Sequence, residues 1–568
     1  MANTNSVAFT SVSDMIGYSG MTLNEQASLL GYYAPGDGGG GDFYWTNSAS
    51  TADSGVVFTG TTGYWIRRNT GTLNPRYYGA KGDGATDDST AFNACFSNTY
   101  TSNIYVPDGT YIVQNLNVSK LLSISLSSAA ILLLKASAAT GTKVINIAAQ
   151  YTKLSGGIID GNKANQTNQV SCVVISADDV TIEQCEIRSS KFYGIVGSFD
   201  RPVILNNYIH DTDYIALFLT PGSANIEGGL VQGNLIDRTS SGTSIVEGGL
   251  KVRGSNSPSF SAIRWRVTDN VVKMPLSPTA AAAICIEVFG NANYSTVSNN
   301  TTYGGKIGIS MSGAFNSAVT ANTIVSASQY GIELAAAYNT ATGNTILGNG
   351  ITDRGITVDF ASFCAISSNT VQDVVSNGIY LAQNVTYTNI TGNVVSFVIA
   401  ATTPSAINID ANCKFINITG NTLSGGGIAK TGIGLTNSSD FVISSNTFDS
   451  FTSYGISMFG SGTGSPGYVI DAYTISNNIF NSVPNPLVYN IGGTTTTTVG
   501  KVVSFGNIGF ANYLDWVNEV LFIAGSGSPA GAVTASVGAL FLRENGGAAT
   551  TLYVKESGTN TNTGWVAK

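Results

Sequence analysis

The chain has 568 residues, of which only 11% are charged, and its formal net charge of −8 is spread without long runs. The sequence has no basic stripe, no apolar run of the about 18 residues that cross a membrane, and no N-terminal region of signal-peptide type. We therefore expect no nucleic-acid partner, no membrane insertion and no signal peptide.

The first segment, residues 1–72, contains "GYYAPGDGGGGDFYW" and "YWIRRN" and predicts a small Gly- and aromatic-rich domain. It is followed by "NPRYYGAKGDGATDDSTAFNACF" at 74–96, where Asp87 or Asp88 can begin a short amphipathic helix. A solenoid must cover the open strand edge of its first turn. We expect this helix to be the N-terminal cap.

A short strand pattern ending in Asn then recurs along the chain. Its steps range from 22 residues (300 to 322) to 36 residues (234 to 270), and Cys185 occupies the same frame one step earlier. The recurring residues are Asn207, Asn234, Asn270, Asn300, Asn322, Asn344, Asn369, Asn393, Asn421, Asn446 and Asn478. Repeats of this length fit one turn of a right-handed parallel β-helix, and the fixed Leu spacing of the competing leucine-rich repeat is absent. We expect Asn here because it tolerates a left-handed bend and because stacked amides bond along the axis.

A second strand frame, often introduced by Gly, lies between successive Asn bends, as in "CIEVFG" (285–290) and "YGIELA" (330–335). Strand side chains alternate between faces, so residues between the apolar positions point outward. The first outward column is Lys251, Glu287, Ser310, Glu333, Thr357, Tyr380, Asn408, Gly434 and Ser457. The second column, two residues along, is Arg253, Phe289, Ser312, Ala335, Asp359, Ala382, Asp410, Thr436 and Phe459.

The repeat fades after about residue 485, and a low-complexity "TTTTTV" is followed by a Gly-rich β segment. The predicted domains are therefore 1–72, a β-helix over 73–485, and a C-terminal β region over 486–568 for trimerisation or glycan binding. The predicted fold class is all-β, a single-stranded right-handed parallel β-helix with small domains at both ends.

A metal site is not expected, because the sequence has a single histidine and no paired cysteines. The six cysteines are scattered singly in apolar surroundings, which favours buried free thiols. The single histidine, His210, is predicted to be a turn residue, or a contributor with Asp211 and Asp213 to a second acidic site. Asp83 and Asp160, which precede Gly, are predicted to form turns. We expect neither a metal nor a cofactor.

Three segments carry a family resemblance: "YYGAKGDGATDDSTAF" (77–92), "VPDGTY" (106–111) and "GIIDGN" (157–162). Together with the recurring Asn pattern, they resemble the pectate-lyase-like β-helix superfamily over about 74–485. The arrangement is most similar to bacteriophage tailspike depolymerases. That resemblance implies a homotrimer in the virion, joined to a phage tail or baseplate protein through the N-terminus. It also implies synthesis in the host cytoplasm and action outside the cell on a bacterial surface polysaccharide, either capsule or exopolysaccharide. A long virion-anchoring domain is not evident in the sequence.

The candidate catalytic residues are Glu287, Glu333 and Asp359. Strands of neighbouring turns lie about 4.8 Å apart, so the backbones of Glu287 and Glu333 are predicted to stand about 9–10 Å apart, with Ser310 between them. Carboxyl groups about 6.5–9.5 Å apart are typical of inverting glycosidases. We expect endo-acting hydrolysis by paired carboxylates.

The candidate substrate-binding residues line the same columns. They are Lys251, Arg253, Phe289, Ser310, Tyr380 and Asp410. Lys251 and Arg253 are predicted to be solvated surface residues, with the holding of an acidic sugar as the alternative.

Three functions stay open at this point. A hydrolase would use the carboxylates; a polysaccharide lyase would need Lys251, Arg253 or Tyr380 and a uronate-containing glycan; an adhesin would bind glycan without cutting it. Solvated glutamates on the outside of a solenoid are also ordinary, so none of the carboxylates is catalytic by position alone.

Overall fold

The computed structural model describes residues 6–48, 50–220, 225–241, 247–254, 262–399, 404–461, 469–470, 472–492, 498–499, 502–509, 522–558 and 561–568. The chain divides into two compact units. Unit 1 is Met1–Ala318 and unit 2 is Val319–Lys568.

Unit 1 begins with a five-stranded sheet and a short helix, Val12–Gly17. In sheet order the strands are Ser6–Phe9, Gln26–Leu29, Gly41–Thr46, Tyr64–Arg67 and Val57–Thr59. The aromatic residues of this segment form its core, in which Trp45 and Trp65 meet edge to face at 5.2 Å. The Gly-rich stretch lets the backbone approach Arg67, whose guanidinium donates hydrogen bonds to the carbonyls of Gly39, Gly40 and Gly55.

The predicted capping helix is present as Ser89–Phe96, after a 3₁₀ turn at Pro75–Tyr78. Asp88 occupies the N-cap position, but its carboxylate accepts hydrogen bonds from the backbone N–H groups of Lys81 and Gly82 instead of capping the helix. The carboxylate of Asp87 accepts from the N–H of Ser89. Phe92, Cys95 and Phe96 are the buried residues of this helix.

The remainder of unit 1 is built from three parallel sheets, and each turn of the solenoid adds one strand to each sheet in order. The first sheet contains Asn103–Val106, Ser123–Leu126, Lys153–Ser155, Thr181–Glu183, Val203–Leu205, Leu230–Gln232, Arg266–Thr268 and Thr296–Ser298. The second contains Asp83–Asp87, Gly109–Val113, Ala130–Leu134, Ile158–Asp160, Glu186–Arg188, Tyr208–His210, Leu235–Asp237, Val271–Lys273 and Thr301–Tyr303. The third contains Leu116–Val118, Lys143–Ile147, Ser171–Ile175, Tyr193–Gly197, Ile215–Leu219, Leu250–Arg253, Ile284–Phe289 and Ile307–Ser312.

Smaller elements of unit 1 lie between these strands. They are the paired strands Ile226–Glu227 and Ala262–Ile263, and the 3₁₀ turns Lys163–Asn165 and Thr239–Ser241. The strand Ala318–Thr320 lies at the boundary between the units.

Unit 2 has the same three-sheet construction. Its first sheet contains Thr340–Thr342, Ala365–Ser367, Asn389–Thr391, Lys414–Thr419, Ser439–Ser444, Tyr473–Ser476 and Val502–Phe505. Its second contains Thr323–Val325, Thr345–Leu347, Thr370–Gln372, Val394–Ser396, Thr422–Ser424, Thr447–Asp449 and Ile479–Asn481. Its third contains Tyr330–Ala335, Arg354–Val358, Asn377–Leu381, Ser405–Ile409, Thr431–Thr436, Tyr454–Ser461 and Asn485–Gly492.

Unit 2 also holds the paired strands Val469–Ile470 and Thr498–Val499, and a separate four-stranded sheet. In sheet order that sheet is Phe522–Gly525, Leu540–Arg543, Leu552–Lys555 and Trp565–Ala567. A small core that includes Phe541, Tyr553 and Trp565 holds it together.

The predicted fold class is confirmed: the chain is an all-β, right-handed parallel β-helix with a small N-terminal β domain. The interior is lined by Ile, Val and Leu at alternate strand positions, as in the strand of Glu287, where Ile286 and Val288 are buried. The predicted domain division at 72/73 and 485/486 stays a prediction. No helix among the described residues is long and apolar enough to cross a membrane.

The six cysteines are free and buried, as predicted. Burial raises the pKa of each of these thiols, because an apolar interior disfavours the thiolate. Their contribution is therefore packing.

The recurring Asn residues form an internal hydrogen-bonded column, which we call the Asn ladder. In unit 2, the N–H and Nδ2 of Asn344 both donate to Oδ1 of Asn369. The N–H and Nδ2 of Asn369 donate in the same way to Oδ1 of Asn393. The predicted amide stacking is confirmed. The predicted left-handed conformation is wrong for these residues, because it belongs to the residue before each one, as at Gly343 and Ser368. A buried side-chain amide must keep its hydrogen-bond partners, and the residue before each ladder Asn therefore makes the bend.

A second column in unit 2 consists of aromatic rings on the outside. Tyr338, Phe363, Tyr387 and Phe415 each adopt a left-handed conformation. The first three precede a strand of the first sheet, and Phe415 lies within the strand Lys414–Thr419. Their rings stack with centroids 4.9, 4.8 and 4.7 Å apart and interplanar angles of 4–11°. The stack brings four exposed rings together, and it was not predicted from the sequence.

Candidate functional site

The predicted columns are present in the third sheet of unit 1. Lys251 pairs in register with Glu287, which pairs with Ser310, and Arg253 pairs with Phe289. The surroundings differ from the prediction, however, because the side chains of this column are not freely solvated. Lys251 is 8% exposed and Ser310 is fully buried.

Lys251 forms a buried ion triad with two glutamates. Its Nζ lies 2.8 Å from Oε2 of Glu247 and 2.9 Å from Oε2 of Glu287. The contact with Glu247 is a hydrogen bond; Oε2 of Glu287 is buried and, among the described residues, accepts no hydrogen bond of good geometry despite the short distance. The prediction that Lys251 is solvated is wrong, since two carboxylates reach it across the column.

The triad shifts the ionisation of its members. Burial raises the pKa of the Glu287 carboxyl, and the nearby Lys251 ammonium only partly opposes this. Burial works to lower the pKa of Lys251, but the charges of Glu287 and Glu247, with the hydrogen bond to Glu247, raise it above its ordinary value. Lys251 is therefore held as an ammonium ion, which suits a counter-ion better than a proton acceptor.

A cluster of aromatic rings borders the triad, and sequence reasoning missed it. Tyr214 donates a hydrogen bond to Oε1 of Glu247 at 3.4 Å. The ring of Tyr214 stacks on Phe192 at 4.6 Å, and Tyr193 stacks on Phe218 at 5.5 Å. Tyr193 precedes Gly in the frame "YGIVG", as Tyr330 does in "YGIELA", so a recurring Tyr at the start of the third-sheet strand was the available signal.

Unit 2 carries the other half of the candidate residues. Glu333, Thr357, Tyr380 and Asn408 pair in sequence across neighbouring strands, as the first column predicted. Asp359 continues the next strand, with its N–H bonded to the carbonyl of Leu334. Glu333 and Asp359 therefore lie one strand and two residues apart on the same face, a backbone separation of about 8 Å.

Asp359 is partly buried beside a cation. Burial raises the pKa of its carboxyl, and the positive charge of Arg354 works in the opposite direction. The guanidinium of Arg354 lies 3.8 Å from the ring centre of Tyr380, and its Nε is 3.6 Å from Oδ2 of Asp353. Arg354 was not predicted, although it starts the strand that ends next to Asp359.

Tyr380 and Asp410 contact one another directly. The Tyr380 hydroxyl donates a hydrogen bond of 2.8 Å to Oδ2 of Asp410. Burial, with this bond, raises the pKa of Tyr380 to about 12, so the phenol is neutral near pH 7. The pair offers a fixed polar edge beside Asp359.

The structure thus brings together Lys251, Arg253, Glu287, Phe289 and Ser310 in unit 1. It brings together Glu333, Asp359, Tyr380 and Asp410 in unit 2. The spacing of Glu287 from Glu333, which lie in different units, stays a prediction.

His210 belongs to a separate polar cluster. The prediction of a turn position is wrong, because His210 ends the strand Tyr208–His210 and Asp211 makes the bend. Its ring nitrogens lie 2.7 Å from Asp211 and 3.3 Å from Glu186. Asp213 pairs with two lysines instead. Among the described residues, no group of three or more His, Cys, Asp or Glu side chains is placed to hold a metal ion.

The two carboxylates predicted to form turns do so. Asp83 accepts hydrogen bonds from the N–H groups of Ala85 and Thr86, and Asp160 accepts from that of Asn162. Asp160 also pairs with Arg188 at 2.7 Å. Both carboxylates are therefore occupied by local structure.

Comparison with protein families gives three matches, each over less than half of the chain. Residues 8–70 match the phage tail protein small four-stranded beta-sheet domain. Residues 72–193 match the pectate lyase-like family rhamnogalacturonase A/epimerase, and residues 239–356 and 289–399 match the periplasmic copper-binding protein NosD. The first two matches confirm the resemblance predicted from the sequence: residues 8–70 are similar to a phage tail domain, and residues 72–193 are similar to a pectate lyase-like family.

Three solved structures are similar to the chain at low identity. Full-length tailspike protein 2 from Escherichia coli O157:H7 bacteriophage CAB120 is 14% identical, with 84% of this chain and 54% of that chain covered and a TM-score of 0.34. WceF of Pantoea stewartii, a glycan biofilm modifying enzyme with a bacteriophage tailspike-like parallel beta-helix fold, is 13% identical, with 64% and 48% covered and a TM-score of 0.36. The N-terminal fragment of bacteriophage Phi29 gene product 12 is 16% identical, with 80% and 76% covered and a TM-score of 0.43.

The chain spans about half the length of the first two of these structures. No curated protein sequence matches it significantly.

Proposed function

We propose that this chain is a phage tailspike that binds a bacterial surface polysaccharide, capsule or exopolysaccharide, and cuts it by endo-acting hydrolysis. The observation that carries the proposal is the placement of Glu333 and Asp359 on neighbouring strands of one face, with their backbones about 8 Å apart. From this backbone separation the two side chains can hold their carboxyl groups about 6.5–9.5 Å apart, the range of inverting glycosidases, whereas retaining ones need about 5–5.5 Å.

The environments of the two carboxylates suit different roles. Burial raises the pKa of Asp359, so this group is the proposed general acid that protonates the glycosidic oxygen. Glu333 is the proposed base, which takes a proton from the attacking water on the opposite face of the sugar. Glu287, which lies in unit 1, is a separate candidate acid, because burial also raises its pKa.

Most of the remaining candidates have binding roles in this proposal. Tyr380 and Asp410 present hydroxyl and carboxylate groups to sugar hydroxyls, whereas Ser310 is fully buried and is not proposed to contact the sugar. Arg253 and Phe289 lie together, with the guanidinium 5.1 Å from the ring centre. Aromatic and planar charged groups of this kind are common partners of pyranose rings.

The alternative chemistry, a lyase, is less well supported by these side chains. A lyase base must be unprotonated, yet the pKa of Lys251 is raised by its glutamates and that of Tyr380 is raised to about 12. An adhesin is distinguished from the two enzymes only by the result of incubation with polysaccharide, because it binds the glycan and releases no fragments.

The biological setting is also part of the proposal. The match of residues 8–70 to a phage tail domain supports attachment to a phage tail or baseplate protein through the N-terminus. A homotrimer in the virion, synthesis in the host cytoplasm and action outside the cell follow from the resemblance to tailspikes.

The decisive experiment incubates the purified chain with host surface polysaccharides. New reducing ends without ultraviolet-absorbing unsaturation support hydrolysis, unsaturated fragments indicate a lyase, and binding without fragments indicates an adhesin. Glu333→Gln and Asp359→Asn are expected to lower the hydrolysis rate by at least about a hundredfold. Asp449→Asn, which changes a carboxylate at the end of a second-sheet strand, is the matched control and is expected to retain activity. Full activity of both site variants would overturn the assignment.

A further inference from the structure

We infer that Arg253 and the rings of Phe192, Tyr193, Tyr214 and Phe218 form a subsite in unit 1 for a sugar that carries a carboxylate group. The inference rests on the proposed function in one respect: it names a class of polysaccharide, an acidic one, as the ligand. It is carried by the side chains of unit 1 alone.

The rings form a continuous apolar surface on the third sheet. Phe192 and Tyr214 are nearly parallel, with an angle of 14°, and Tyr193 lies 4.0 Å from Phe192 and 5.6 Å from Tyr214. Phe192, Tyr193 and Tyr214 are each half-buried, so part of each ring is accessible. The apolar faces of pyranose rings pack on such surfaces, and the tyrosine hydroxyls can bond to sugar hydroxyls.

Arg253 supplies the charge for recognition. Its guanidinium lies over the ring of Phe289 and is half-buried. Within the described ranges it has no hydrogen bond and no ion pair, whereas nearby Lys251 is held by both Glu247 and Glu287. Lys251 lies over the same Phe289 ring at 5.2 Å, and Lys251 pairs in register with Phe218, which stacks on Tyr193. Phe289 and Phe218 therefore connect Arg253 to the ring cluster.

The distribution of charge in the cluster favours an anion over a neutral sugar. Glu247 and Glu287 contact Lys251 at 2.8 and 2.9 Å, and neither of them forms an ion pair with Arg253 within the described residues. The guanidinium of Arg253 is therefore the charged group of this cluster that is open to a ligand. A planar guanidinium binds a carboxylate through two parallel hydrogen bonds, which a neutral hydroxymethyl group cannot replace.

The test compares sodium glucuronate with methyl glucoside, titrated into the full chain and followed by ligand-observed NMR. Arg253→Gln is expected to weaken glucuronate binding by roughly tenfold or more, because a charge-assisted hydrogen bond is lost, and to weaken methyl glucoside binding much less. Tyr193→Ala is expected to weaken the binding of both sugars. Unchanged circular dichroism spectra establish that the variants are folded.

Arg266→Gln is the matched control, because Arg266 is an exposed arginine on the first sheet of the same unit. It is expected to leave glucuronate binding unchanged. The inference is overturned if the parent chain shows no saturable glucuronate binding, or if Arg253→Gln binds glucuronate as well as the parent does. A chain that binds glucuronate through Arg253 but cuts no polysaccharide contradicts the hydrolase proposal alone.

Discussion

Nζ of Lys251 lies 2.9 Å from the carboxylate of Glu287, and both side chains are largely buried. The alternation of strand side chains had predicted that this face of the solenoid is solvated. The pair has a third member, Glu247, which approaches from the turn before the strand of Lys251. A buried cation between two carboxylates costs desolvation, and removing one partner leaves the others without compensation.

Lys251→Met is expected to destabilise the turn that contains Leu250–Arg253 by about 3–5 kcal/mol, because two buried carboxylates lose their counter-ion. Native-state hydrogen exchange of this strand measures the effect. Lys153→Met is the control: Lys153 lies 2.7 Å from Glu183, but its side chain is 46% exposed, and such pairs contribute about 0–1 kcal/mol. Equal effects of the two changes would contradict the burial argument.

The pH dependence of stability carries a signature of Glu287. Its pKa is raised in the folded chain, so the folded state holds this proton more tightly than the unfolded state. Its contribution is therefore complete below the ordinary pKa of about 4.3 and is lost as the pH rises through the raised value. Glu287→Gln cannot lose a proton, so its stability relative to the parent is expected to increase from pH 4 to pH 7. A difference that is constant with pH would contradict this assignment.

Arg354 is expected to set the alkaline limit of catalysis. If Asp359 acts as the acid, activity falls as the pH rises through the pKa of Asp359. Arg354 lowers that pKa, so Arg354→Met is expected to raise it and to move the alkaline limb of the pH–rate profile to higher pH. Arg354→Lys keeps the charge and is expected to leave the limb in place. A limb that moves to lower pH in Arg354→Met would exclude this role.

The Asn ladder is expected to be sensitive at each position. Asn393 is fully buried, accepts from Asn369, and donates to Asn421 and to the carbonyl of Ile366. Asn393→Leu removes both the donor and the acceptor of this amide and leaves its buried polar partners unpaired. The free energy of unfolding is expected to fall by about 1–3 kcal/mol for each unpaired group. Thermal unfolding measures the loss, with the exposed Asn389→Leu as the control.

The exposed aromatic stack offers a test of stacking without burial. Phe363 contacts both Tyr338 and Tyr387, and each aromatic pair is worth about 0.5–1.5 kcal/mol, so Phe363→Ala is expected to destabilise unit 2 by about 1–3 kcal/mol. Phe360→Ala is a matched control, because Phe360 is 73% exposed and also left-handed. Similar melting temperatures for the two variants would show that the stack contributes nothing.

Much of the fold was predictable because a solenoid repeats its own pattern. The recurrence of Asn and of the Gly-introduced strand gave the turns, and alternation gave the register of Lys251 with Glu287 and of Glu333 with Thr357. The site was less predictable. Glu247 precedes its strand in a turn without periodic signal, and only the folded path brings it to Lys251. The sequence also did not predict that residues of the outward columns are buried. Their burial depends on whether long side chains on adjacent strands cover short ones such as Thr357.

The Asn ladder gives the solenoid a direction. In unit 2, the N–H and Nδ2 of each ladder Asn donate to the oxygen of the Asn in the following turn, as Asn421 does to Asn446. A turn therefore has its polar groups satisfied only when its C-terminal neighbour is in place. Loss of a C-terminal turn leaves two donors and one backbone carbonyl without partners, as for Asn421 and Ile418 when the turn of Asn446 is lost. Loss of an N-terminal turn leaves an oxygen and one side-chain donor without partners. A chain that folds as it leaves the ribosome must therefore keep its newest turn unfinished until the next one arrives.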